Sequence, residues 1–215
     1  MPSQNIRPNM KPVYSIHPSV RHMQAIIENL AQKTGKSLDV WFDLISKANI
    51  ENEKECRKWL KLEFNLGGTT SSIIAQRHFK SATEEITDEE AYLSAAANYV
   101  ENMYARGKNH LRPLHDKLIE LGLSLGDDVK ICPCKTMVPL YRKHVFAQIK
   151  PVTKSRIDLG LALKNTNRSL HEKLVDTGGL AKGDRITHRF AISTLQDIDS
   201  IVKEWLQIAY DLDEK

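Results

Sequence analysis

The sequence predicts an α+β fold. A small four-helix N-terminal domain is followed by a domain with a mainly antiparallel, roughly five-stranded sheet covered by helices on one face. Three observations carry this reading. Apolar residues recur at helical spacing through the first third of the chain, residues 129–163 alternate at the two-residue period of strands, and a helical stripe returns at the C-terminus. The strands are joined by connections too short for parallel crossovers, which favours antiparallel pairing.

Taken in order, residues 1–16 carry three prolines and read as a disordered or extended arm rather than a signal peptide. The helical domain spans 17–79. Ser19 is the expected N-cap of a first helix whose stripe is Val20, Met23, Ile26, Ile27 and Leu30 and which ends near Gly35. Ser37 caps a second helix that buries Leu38, Trp41, Phe42 and Ile45. Asn52 and Glu55 fit a capping box for a third, with Cys56, Trp59, Leu60 and Phe64 inward. Gly67 and Gly68 end it, and Thr69 or Thr70 caps a short fourth helix.

The apolar-poor segment 80–87 is the expected linker, and residues 88–215 form the α+β domain. A long helix carries Ala91, Tyr92, Ala95, Ala96, Tyr99, Val100 and Met103, and Pro113 opens another that buries Leu114, Leu118 and Leu121. Strands are predicted at 129–132, 137–143, 145–150, 155–163 and 185–193. In the fourth, Ile157, Leu159, Leu161 and Leu163 alternate with Arg156, Asp158, Gly160 and Ala162; in the fifth, Ile186, His188, Phe190 and Ile192 share a face. The polar connection 164–184 is too long for a hairpin and is expected to form a flap or to be partly helical. A last helix presents Leu195, Ile198, Ile201, Val202, Trp205 and Ile208 to the core.

With 215 residues, 41% hydrophobic and 27% charged, the composition is that of a soluble globular protein. No run approaches the roughly 18 to 20 apolar residues of a membrane span, so the expected compartment is the cytoplasm and no membrane partner is expected. Three cysteines make no disulfide framework. The net charge of +4 conceals segregation: residues 129–190 carry +9, whereas 81–128 carry −6 and 191–215 carry −4. A basic sheet region suits a polyanion.

The candidate polyanion-binding set is Lys135, Arg142, Lys143, Lys154, Arg156 and Arg189, with Lys150 beside it. Arg156 and Arg189 oppose the oily faces of their strands, and a planar guanidinium fork matches phosphate. Tyr141 and Phe146 interleave with these charges, a pattern that suits stacking of single-stranded bases. The turn at Gly67, Gly68, Thr69 and Thr70 is a second candidate, since a helix N-terminus offers free N–H groups to an anion. His188 with Asp158 could pair as base and orienting carboxylate if the strand pairing brings them together, and Cys132, Cys134 and His144 fall short of the four-ligand set of a zinc site. No catalytic residue, metal or cofactor is assigned.

The chain resembles a bacterial family that joins two domains of unknown function. In the first half the matching pieces are KTGK at 33–36, WLK at 59–61 and LG at 66 and 67. In the second half they are Lys135, Thr136, Arg142, Lys143, Phe146, Ala147, Pro151, Lys154, Arg156, Asp158, Gly160, His188 and Arg189. Gly68, Thr69, Thr70 and Ser71 stand where that family often has a Gly- and His-rich turn, and Cys134 stands where it tends to have a basic residue. The resemblance implies a helical domain followed by an α+β domain, and it implies no catalytic residue.

These readings favour a non-enzymatic module that binds nucleic acid or another polyanion through the basic sheet. The alternatives are a small-molecule or enzymatic site on the open sheet face, gated by residues 164–184, and a protein-interaction or dimerisation surface that would make the protein a homo-oligomer.

Overall fold

The computed structural model describes residues 14–80 and 88–214. The predicted arm up to residue 13, and the predicted linker apart from Lys80, lie outside the described residues. Two compact units divide the chain, one from Ile16 to Ala95, the other from Ala96 onward together with Tyr14 and Ser15.

The helical unit contains α1 (Pro18–Glu28), α2 (Leu30–Thr34), α3 (Leu38–Lys47), α4 (Glu53–Phe64) and α5 (Gly68–His78). The single helix predicted up to Gly35 is broken at Asn29, whose backbone and side-chain N–H groups both donate to the Ala25 carbonyl. A side chain that competes for a helical carbonyl in this way offers the backbone an exit. His17, not Ser19, is the N-cap of α1, its Nδ1 accepting the Ser19 N–H at 3.1 Å, and Pro18 occupies the first turn. The caps expected at Ser37 and Asn52 form, Asn52 accepting the Glu55 N–H at 2.9 Å. Leu30, Trp41, Ile45, Cys56, Leu60, Ile74 and Ala75 make the core, with Trp41 edge-on to Phe64 at 4.9 Å.

The second unit is built on six strands: β1 (Lys130–Ile131), β2 (Val138–Tyr141), β3 (Val145–Pro151), β4 (Ile157–Leu161), β5 (Val175–Asp176) and β6 (His188–Ile192). They form one antiparallel sheet in the order β1-β2-β3-β4-β6-β5. The sixth strand, β5, is two residues long and leaves no alternation for sequence to show. With α6 (Glu89–Tyr104), which enters this unit from Ala96 onward, α7 (Arg112–Leu123), α8 (Gly179–Lys182) and α9 (Ser200–Leu212), the fold is α+β.

Residues paired across an antiparallel ladder share a face, so the register assigns both sides of the sheet. Val138, Leu140, Ala147, Ile149, Ile157, Leu159, Leu161, Phe190 and Ile192 fall on one side and are almost wholly buried. Val100, Leu114, Leu118, Val202, Trp205 and Leu206 from α6, α7 and α9 join them in one cluster. The oily face is therefore the helix-covered face. Leu195, expected in the last helical stripe, sits before α9 in a 3₁₀ turn and is exposed.

Candidate anion-binding face of the sheet

On the face away from the core, adjacent strands bring Gln148, Gly160 and Arg189 into one row and Lys150, Asp158 and Ala191 into the next. Arg156 shares their parity one step before β4. Asp158 holds both arginines. Arg189 Nε lies 3.3 Å from its Oδ2 and Arg189 Nη1 donates to its Oδ1 at 3.3 Å. Arg156 Nε lies 2.9 Å from the same Oδ1, but its N–H is not aimed along that line, so the contact is an ion pair without a hydrogen bond. One carboxylate between two guanidiniums leaves this cluster a net positive charge, and Lys150 across the ladder from Asp158 adds to it.

Gly160 gives this face its shape. A Cβ there would lie 2.6 Å from the Ile186 Cγ2 and 2.9 Å from the Gln148 Cγ, so only glycine lets Ile186 approach beside Arg189. Ile186 was expected on the oily side with Phe190, but β6 begins only at His188 and the irregular backbone before it turns Ile186 to the open face.

The remaining predicted cations divide between the two ends of the sheet. Lys154 lies in the β3–β4 turn and Lys135 in the β1–β2 connection, at the same end as Lys150 and Arg156. Lys135 Nζ stands 5.9 Å from the Tyr99 ring centroid. Lys108 arrives there too, its Nζ donating to the Pro151 carbonyl at 2.7 Å. Nothing in the sequence marks Lys108, because 43 positions separate it from its partner. Arg142 and Lys143 occupy the β2–β3 turn, at the far end of β3 and thus about 20 Å away.

At that far end both side chains are engaged with the end of α9. Arg142 donates to Asp128 at 2.7 Å and to the Tyr210 carbonyl at 3.4 Å, reaches Glu214, and stacks 4.1 Å above the Tyr210 ring. The hydrogen bond to Asp128 raises its pKa further. Lys143 Nζ donates to the Glu214 carbonyl at 2.6 Å. Phe146, expected among the exposed aromatics, is fully buried at a bulge in β3 and meets Tyr210 edge-on at 5.6 Å. Tyr141 does lie on the open face, across from Lys130.

The register also decides the other constellations. His188 pairs with Leu161 and Asp158 with Ala191, so the histidine and the carboxylate point to opposite sides of the sheet. His188 Nδ1 instead meets the Thr187 hydroxyl at 2.9 Å. Burial pushes the Cys132 thiol up to about 12, which keeps it protonated and a poor ligand or nucleophile. His144 sits in the β2–β3 turn, away from both cysteines, and no metal-binding group of His, Cys, Asp and Glu occurs among the described residues.

In the helical unit, Gly67 rather than Thr69 or Thr70 is the N-cap of α5 and offers no side-chain cap. Gly67, Gly68 and Thr69 are exposed, with Thr70 half-buried. The hydroxyls just beyond turn back into the helix, Ser71 donating to the Gly67 carbonyl at 3.0 Å and Ser72 to that of Gly68 at 2.9 Å.

A family model described as Domain of unknown function (DUF5655) matches residues 100–213, the stretch that holds the whole sheet, α7 and α9. The chain belongs to this family. A second model, Domain of unknown function (DUF4287), matches residues 22–78, within the helical unit. The chain is thus a two-domain protein of the kind its motifs resemble. No curated protein and no solved structure matches it. The Arg156, Asp158 and Arg189 cluster and the Arg142 contacts with Asp128 and Tyr210 fall inside the DUF5655 domain.

Proposed function

We propose that the DUF5655 domain is a non-enzymatic module that binds nucleic acid or another polyanion on the open face of its sheet. The observation that carries this reading is the sharing of Asp158 by Arg156 and Arg189 on a face that the core helices do not cover. A carboxylate that engages one edge of each fork orients both guanidiniums and leaves N–H groups on their other edges for phosphate oxygens. Lys150 and Lys154 supply further charge at the same end. A gently twisted sheet face suits single strands, which lie flat across it, better than the grooves of a duplex. Arg142 and Lys143 are left out of the interface because their donors already serve Asp128, Tyr210 and Glu214.

Fluorescence anisotropy with labelled single-stranded DNA, duplex DNA and RNA at two salt concentrations tests this. Binding should weaken with salt as counterions are released. Arg156→Ala and Arg189→Ala should each weaken it about tenfold and lower the salt slope by about one. Arg142→Ala should leave affinity unchanged. Absence of binding to all three nucleic acids at low salt removes nucleic acid as the ligand, and an Arg142→Ala loss equal to that of Arg156→Ala would move the interface to the other end of the sheet.

A further inference from the structure

At the end of the sheet away from Arg156 lies a cavity of about 300 Å³, at the small end of the range for ligand pockets. The exit of β4, the α8 segment and the last turn of α9 enclose it. Its apolar wall is Ala162, Leu180, Ala209 and Leu212. Leu180 is 56% exposed and so offers apolar surface to whatever enters the cavity. Its polar wall includes Lys164, Asn165, Asp184 and Arg185.

The charges around this cavity are differently employed. Arg185 is fixed: Nε donates to the Val145 carbonyl at 2.9 Å and Nη2 to the buried carboxylate of Asp213, which also accepts the His144 N–H at 2.7 Å. That pair is neutral overall, yet the rest of the Arg185 fork retains donors. Among the described residues, Lys164, Asn165 and Asp184 have no side-chain hydrogen bond or ion pair with another residue. One cation, one anion and one amide without partners therefore border an apolar wall. The segment that carries Leu180 and leads to Asp184 is bracketed by Gly178 at φ 68° and Gly183 at φ 73°, left-handed conformations that glycine adopts without strain. Between these two turns the segment places Leu180 on the cavity wall.

We propose that this cavity binds a small aliphatic amino acid as its zwitterion. Lys164 and the Arg185 fork receive the carboxylate, Asp184 receives the ammonium, and the aliphatic side chain packs on Leu180 and Leu212. A ligand carrying both charges answers both unpartnered groups, whereas a phosphate would leave Asp184 facing like charge. This site is separate from the sheet face proposed to bind the polyanion.

Isothermal titration calorimetry of the full chain with L-leucine, 4-methylpentanoate and 3-methylbutylamine separates the contributions. Leucine is expected to bind, and each single-charge analogue to bind about tenfold more weakly or worse. Asp184→Asn should bring leucine down to the level of 4-methylpentanoate without changing the latter, and Lys164→Ala should weaken both. Both residues are exposed, so the variants should keep the wild-type melting temperature. The proposal is overturned if leucine gives no heat at millimolar concentration, if neither substitution changes its affinity, or if inorganic phosphate displaces it.

Discussion

Phe190→Ala should destabilise the sheet unit by about 3 to 5 kcal/mol, the cost of deleting a buried aromatic ring and leaving a cavity behind. Phe190 is 1% exposed, and its register partner Leu159 is fully buried. Its chain neighbour gives the contrast. Ala191 points to the other side, where it is exposed, so Ala191→Ser should stay within about 0.5 kcal/mol. Hydrogen exchange at the β3 and β4 amides reports on this unit separately from the helical one. Equal losses of protection in the two variants would mean that the sheet is covered on both faces, and the proposed interface would lose its exposed surface.

Acid should weaken the same unit before its carboxylates begin to protonate. His115 is 1% exposed, with Nδ1 3.0 Å from the hydroxyl of buried Tyr104. Burial, aided by the Arg112 guanidinium, pushes its pKa down to about 4. Arg112 is itself held nearby by Glu101 at 2.6 Å and Asp116 at 2.9 Å. Because the unfolded chain takes up the proton near the ordinary value of about 6.5, it binds more protons than the folded one between the two values. Stability is therefore complete above pH 6.5 and declines as pH falls towards 4, by about 3 kcal/mol in all. Asp128, Asp197 and Asp199, held below the usual carboxylate range by their hydrogen bonds, contribute only at lower pH. His115→Gln should remove most of this slope while lowering stability at pH 7, and the His115 ring should remain neutral by NMR down to about pH 4. If wild type and variant lose equal stability between pH 7 and pH 4, His115 is not the responsible group.

Sequence periodicity located five of the six strands and, most clearly in β4, the side to which residues turn, because Ile157, Leu159 and Leu161 are separated by residues of another kind. That alternation put Arg156 and Arg189 on the uncovered side but said nothing of Arg142, which follows a strand that breaks register at a bulge. Phe146 and Ile186 were misplaced for the same reason, since each lies where the ladder is irregular and parity no longer predicts direction. His188 and Asp158 needed the cross-strand register, a non-local quantity. The cavity beside Leu180 escaped because α8 and β5 have four and two residues, too few for any period to emerge. The break at Asn29 was hidden by a stripe that continues through it to Leu30.

Both outermost strands of the sheet, β1 and β5, are only two residues long, and the Ile131 carbonyl of β1 already accepts the Ser15 N–H at 2.7 Å. A visiting chain that tried to extend the sheet would find a template for very few main-chain bonds. Polymerisation through sheet margins is thereby discouraged in the folded state. The proposed recognition would then be written in side chains, and point substitutions should be able to change it without disturbing how the domain is folded.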